Sequence, residues 1–264
     1  MIRVSIHAVG LMAPGLPGWQ PSLPILRGEE TYRPQEMPPP CPAALKPNER
    51  RRTTNTIRYA LVAADDALRQ VAPPPELLSV FASTEGDLEI INQICIALTQ
   101  SGRPVSPTLF HNSVHNAPAG YWSIATGYHQ ASTSLGGMQG TLAAGLLEAA
   151  VQSIAEGSPV LLVAYDHRSP APLNQLIEGE TTFALALLIS GDPDAAGRLA
   201  TLHLETLPNI GQTTLQTPAL ERLRRSVPIA RGLPLLQAIA RRQAATLDLP
   251  YLPELGLRLV LVPC

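Results

Sequence analysis

Between Ser132 and Gly145 the chain reads Ser132-Thr133-Ser134-Leu135-Gly136-Gly137-Met138-Gln139-Gly140-Thr141-Leu142-Ala143-Ala144-Gly145, a glycine-rich turn leading into an apolar run. A turn at a helix N-terminus offers free backbone N–H groups, which suit a developing oxyanion. Covalent acyl transfer also needs a nucleophile and a base to activate it, and this turn has neither. Gln139 is an amide, and Gly140 has no side chain. Ser134 lacks a Gly-x-Ser-x-Gly context and reads as the end of a strand. His111 and His115 stand four apart without the Glu of His-Glu-x-x-His, on a segment without a clear helical pattern, so no metal site is expected there. Asp166-His167 follows a strand end, a position that often carries function in α/β folds, and reads as a surface turn. Gly136 to Gly140 is not Gly-x-Gly-x-x-Gly and carries no Lys-Ser/Thr, which argues against a nucleotide site. Cys41, Cys95 and Cys264 are odd in number and have no paired spacing, so neither a disulfide framework nor zinc is expected. No cofactor is expected.

These residues need elements to hold them. Ile2 to Val9 reads as a strand. A proline-heavy arm over 13–47 follows, and proline at that density predicts an extended surface course without helix. From Thr54 to Gln70, Ile57, Leu61, Ala64 and Leu68 recur at helical spacing, and Pro73-Pro74-Pro75 ends the run. Leu77 to Ala82 reads as a short strand. Asp87 to Thr99 reads as a helix with Leu88, Ile91, Ile94, Cys95 and Leu98 on one side, which makes Cys95 a small core residue. Thr141 to Glu156 is apolar on nearly all faces and is predicted to be a buried helix. Pro159 to Tyr165 is an unbroken apolar strand of the kind covered on both faces. Strands are expected at Thr181 to Ser190, Leu199 to Glu205 and Leu257 to Val262, and helices around Ala219 to Arg225 and Leu233 to Ala245. Alternation of the two element types predicts an α/β fold.

A chain of 264 residues can bury one large core or two small ones. Its 45% hydrophobic and only 15% charged content favours extensive burial, including burial against a partner. A net charge of −2 provides no field toward nucleic acid or acidic lipid. The N-terminal run is unlike a signal peptide, and no apolar stretch is long enough for a membrane span, so a cytoplasmic location is expected. Arg50-Arg51-Arg52 is the main basic run, read as a solvated helix start or a dock for an acidic partner.

Ser106-Pro107-Thr108-Leu109-Phe110, the segment Val114-His115-Asn116-Ala117-Pro118-Ala119-Gly120-Tyr121-Trp122-Ser123-Ile124-Ala125, and the turn described above together resemble the N-terminal half of a β-ketoacyl synthase. The resemblance covers Ile2 to Ser190 and is most specific from Ser106 to Tyr165. It implies a thiolase-like fold, a layered α/β sandwich truncated relative to full-length synthases, with 1–264 as a single domain and 191–264 without a motif to place it. In that family, Ser-Pro and Asn-x-x-Ala-Gly elements precede a Ser-Thr-Ala-Cys-type nucleophile turn that opens a buried helix. Counting forward from Asn116 sets the cysteine-equivalent at Gln139, and counting back from Glu156-Gly157 sets it at Gly140. The His-Gly-Thr-Gly-Thr motif, the lysine and the second histidine of a full-length synthase have no match here.

Half-length proteins of this kind, known beside aryl polyene pathways, resemble chain-length-factor subunits. The resemblance therefore implies a non-catalytic subunit in polyene, fatty-acid-like or polyketide biosynthesis. Its expected partners are a full-length, cysteine-bearing β-ketoacyl synthase, as heterodimer or heterotetramer, and an acyl carrier protein. Leu109 and Phe110 would then meet the neighbouring acyl tunnel, with Gln139 and Gly140 at the substrate end and Arg50, Arg51 and Arg52 docking the carrier. Asn116 would fix local backbone. Two alternatives stand beside this reading. One is decarboxylation of malonyl groups on a carrier protein through the Gln139 amide. The other is a docking or scaffold role using Arg50 to Arg52 and the set Arg222, Arg224, Arg225, Arg231, Arg241 and Arg242.

Overall fold

The computed structural model describes residues 1–72, 74–102, 104–175 and 179–264. The first strand, β1, is Ile2–Met12, followed by helices α1 (Trp19–Arg27), α2 (Pro47–Arg52) and α3 (Asn55–Leu68). Strand β2 (Leu78–Ala82) leads to α4 (Leu88–Thr99), α5 (Pro107–Asn112) and α6 (Ala117–Thr126), then β3 (Ser132–Leu135). Helix α7 (Thr141–Glu156), β4 (Val160–Asp166), β5 (Phe183–Ser190) and β6 (Ala200–Pro208) follow. The chain closes with α8 (Pro218–Arg225), α9 (Leu233–Arg241), β7 (Ala245–Leu252) and β8 (Leu255–Pro263). Short 3-10 turns precede α7 at Met138–Gly140 and α9 at Pro228–Gly232.

All eight strands join one sheet in the order β3-β2-β4-β5-β1-β6-β8-β7. β2 pairs in parallel with β3 and β4, and the other pairings are antiparallel. β4 is buried along its whole length, as an apolar run covered on both faces requires. Alternate side chains divide between two clusters. Leu161, Val163 and Tyr165 join α3 and α6 on one face. Val160, Leu162 and Ala164 join α7 and α9 on the other. Although β7 is the far edge of the sheet, it touches both α7 and the turn at Met138–Gly140. The sheet therefore curls, so that α7 lies between β2–β4 on one side and β7 on the other. A Cβ at Gly145 would stand 2.9 Å from the Ala82 Cβ and 3.0 Å from Leu162 Cδ1, so glycine there lets α7 seat closely on the sheet.

Helices α3 and α7 and strands β2, β4, β5, β6 and β8 fall where their periodicities predict. α3 ends before Pro74 and Pro75, and Pro73 lies outside the described residues. Other segments differ from expectation. The proline arm is not extended throughout, because α1 forms within it despite Pro21 and Pro24. Pro21 occupies the first turn, where an N–H has no intrahelical partner to lose. Asp66 of α3 takes the Trp19 amide at 2.7 Å and the Leu11 amide at 3.0 Å, tying the start of the helix to β1. Trp19, Ser22 and Leu26 are buried. The helix expected to run to Ala245 stops at Arg241, and Ala245 begins a strand. Segment 191–264 is built into the same sheet through β6, β8 and β7.

α4 forms at its expected position, with the Asp87 side chain accepting from the Ile90 amide at 3.2 Å. Only Ile90 is buried, however. Cys95 is exposed rather than in the core. α7 likewise leaves Val151 and Ile154 about half exposed at its C-terminal end. Among the described residues, no helix is long and apolar enough to cross a membrane.

Candidate functional site

β3 ends at Leu135, and α7 begins at Thr141 after five intervening residues. Thr141 staples the intervening turn. Its fully buried hydroxyl donates to the Met138 carbonyl at 2.8 Å and accepts from the Gly137 amide at 2.9 Å. The Gly140 amide donates to the Gly137 carbonyl at 2.8 Å. Met138 is held in the left-handed region at φ 49, uncommon for a residue with a side chain, and that side chain projects into solvent. Gln139 is exposed, and its carbonyl accepts from Arg231 Nη1 at 2.9 Å. Gly140 is buried, and a Cβ there would collide with the Tyr251 carbonyl of β7. Of the two counting alternatives, then, only Gln139 has room for a side chain. The turn keeps the shape of a strand-to-helix elbow and carries no nucleophile. Ser134 lies within β3, as expected.

Behind the turn, Asp166 corrects the reading of a surface turn. Its buried carboxylate accepts from the Thr84 amide at 2.8 Å, the Thr84 hydroxyl at 2.6 Å and the Ser83 hydroxyl at 3.1 Å. Burial pushes this carboxyl up to about 6, against the opposing pull of those hydrogen bonds. The group thus fastens the end of β2 to the end of β4. The imidazole of His115 contacts the Ser83 carbonyl through Nε2 at 3.1 Å and lies beside Gly136. His111 instead sits edge-on to the Tyr121 ring, so the two histidines serve different contacts. His167 is partly buried, with Nδ1 2.6 Å from the Thr182 hydroxyl, and burial pushes its pKa down. Asn116 makes no side-chain capping bond at the start of α6. The residue that fixes local backbone is Asn112, which donates to the Arg52 carbonyl at 2.6 Å and accepts from Tyr121 at 3.1 Å. Sequence reasoning passed over Asn112, although it stands five residues beyond a Ser-Pro helix start and near the basic run's spatial neighbour, Tyr121.

Beside the turn lies an apolar surface. Leu109 is half-buried on α5, while Phe110 is 68% exposed, Val114 51% and Ile124 69%. Phe110, Val114, Tyr121 and Ile124 line a cavity of about 520 Å³ between α5 and α6. α4 packs on α5 and adds Ile91, Ile96 and Leu98, each exposed by more than a third. β3, whose outer edge has no strand partner among the described residues, borders α6. Arg50, Arg51 and Arg52 end α2 rather than starting a helix, which sets their charges against its C-terminal carbonyls. Arg50 is held by the Cys41 sulfur at 2.8 Å and the Leu45 carbonyl at 3.1 Å, whereas Arg51 and Arg52 are exposed.

The sequence profile of the β-ketoacyl synthase N-terminal domain matches residues 27–248. No curated protein sequence matches the chain. Among solved structures, the ketosynthase ApeO in complex with its chain length factor ApeC from Xenorhabdus doucetiae is similar with a TM-score of 0.75 at 20% identity, covering 98% of this chain and 100% of that one. The ishigamide ketosynthase/chain length factor gives 0.74 at 16% identity, with 100% and 99% covered. A type II polyketide synthase acyl-carrier protein in complex with its ketosynthase, AntDE:AntF, gives 0.78 at 13% identity, with 100% and 99% covered. At such identities the likeness establishes a shared fold, that of the thiolase-like ketosynthases.

Proposed function

The chain belongs to the β-ketoacyl synthase family through its N-terminal domain, and we propose that it is a non-catalytic chain-length-factor subunit that pairs with a cysteine-bearing synthase. The observation that carries this reading is the exposed apolar face of α4, α5 and α6 beside an elbow that has kept its shape without a nucleophile. A helix as apolar as α4 is normally covered, and a contiguous exposed apolar patch marks a contact site. The unpaired edge of β3 adjoins that face and offers backbone groups to a second sheet. Two of the structural neighbours are themselves ketosynthase–chain length factor assemblies, which supports the same partner class.

In the complex, Leu109 and Phe110 close the end of the partner's acyl tunnel by bulk and apolarity. The product is a polyene, fatty-acid-like or polyketide chain. An acyl carrier protein docks its acidic surface on Arg51 and Arg52, at the exposed end of α2. The deciding experiment is native mass after co-expression with a full-length synthase, with this chain alone as control. A one-to-one complex whose condensation requires both chains is expected. A homo-oligomer indifferent to the synthase overturns the proposal.

A further inference from the structure

One group of arginines takes no part in the pairing just described. α8 and the 3-10 turn Pro228–Gly232 bring Arg224, Arg225 and Arg231 to a polar cavity of about 520 Å³, which Gln212, Thr214 and Glu221 also line. Arg224 is almost fully buried there, an unusual place for a guanidinium. Glu221 grips it in a bidentate fork, Nε to Oε2 at 2.7 Å and Nη2 to Oε1 at 2.6 Å. That fork, aided by the Leu215 amide, which donates to Oε2 at 2.8 Å, holds the Glu221 carboxyl below the usual range. The remaining Arg224 nitrogen, Nη1, has only a long 3.4 Å contact to Gln212. Arg225 makes no ion pair or hydrogen bond among the described residues. Arg231 borders the cavity and also holds the Gln139 carbonyl at 2.9 Å, so the cavity adjoins the elbow before α7.

Planar guanidinium forks, a hydroxyl and a side-chain amide around a concave polar space suit a tetrahedral oxyanion. We infer that this cavity binds the phosphate group of a phosphorylated ligand. Arg225 supplies an exposed charge at the rim and Arg224 Nη1 the buried donor. Two sources carry that chemistry, the phosphodiester of a carrier-tethered phosphopantetheine arm and a free phosphomonoester. The site uses residues outside the α4–α6 face, so its occupancy does not depend on the pairing proposal.

The test is calorimetric titration of the full chain, without any partner, using inorganic phosphate and the methyl phosphodiester of 4′-phosphopantetheine as probes. Both are expected to bind saturably, more weakly as salt rises. Tighter binding of the phosphodiester assigns the site to the tethered arm, and equal or weaker binding assigns it to free phosphate. Arg225→Gln is expected to weaken either probe about tenfold, and Arg225→Glu to abolish binding. Both variants should keep the native unfolding midpoint in phosphate-free buffer, because Arg225 is exposed. Arg3→Gln, on the exposed start of β1, should leave affinity unchanged. Absence of saturable binding, or an Arg225→Gln protein that binds like the native chain, overturns the inference, whatever the outcome of co-expression with a synthase.

Discussion

At the scale of single residues, Asp166 and Phe110 make the sharpest predictions. Burial raises the Asp166 carboxyl to about 6, so the folded protein binds its proton more tightly than the unfolded chain does. The corresponding stability is complete below the ordinary carboxylate value and is lost as pH rises through about 6, a swing of about 3 kcal/mol. Asp166→Asn keeps an acceptor for the Thr84 amide and carries no charge. Urea unfolding at several pH values should show the variant gaining on the native protein between pH 4 and 7. Asp166→Ala strands the Thr84 and Ser83 donors and should cost about 1–3 kcal/mol throughout. For Phe110, an exposed ring that the chain-length reading assigns to the partner's tunnel, truncation to alanine should lengthen the product. Enlargement to tryptophan should shorten it, as read by mass spectrometry of the reconstituted pair. Little of this is visible in the sequence. Asp166 follows an apolar strand, as a turn residue would, and nothing local tells that Ser83 and Thr84 of another strand end reach it. Cys95 has the spacing of a core residue on a helix whose apolar side faces solvent.

At the scale of elements, periodicity succeeds wherever burial is one-sided or complete. α3 and β4 have unambiguous patterns and form as predicted. Prolines mislead in the opposite sense at α1, whereas α8 and α9 form near where helices are expected. α1, α5, α6, α8 and α9 each tolerate a proline in the first turn, where the missing N–H costs no bond. β7 is missed because the expected helix is carried to Ala245, where the strand begins, and the alternation of Leu247 and Leu249 spans too few residues to mark a strand by itself. Two element-scale tests follow. Ile91→Glu with Ile96→Glu on α4 should leave the isolated chain's stability within about 0.5 kcal/mol of native while dissociating the synthase complex in native mass spectra. Gly140→Ala forces a methyl into the β7 backbone and should cost about 1–3 kcal/mol by denaturant unfolding. An unaltered midpoint would mean that β7 does not press on the elbow.

At the scale of the whole molecule, the low charged fraction has two sources. One is a pair of apolar clusters on either face of a single sheet, and the other is the uncovered α4–α6 surface. The C-terminal segment, which has no recognisable motif, supplies three of the eight strands and closes the curl over α7. Removing Ala245 to Cys264 should therefore abolish cooperative unfolding, measured by circular dichroism on heating, rather than trim a dispensable tail. The same closure sets an order of events on the ribosome. α7 emerges long before β7 and β8, so a nascent chain carries its longest described helix with one side open until those two strands have been made. Long-range pairing of this kind folds slowly, and an open apolar side invites chaperones in the interval. Yield in cells should accordingly respond to holdase supply more than the finished protein's stability would suggest.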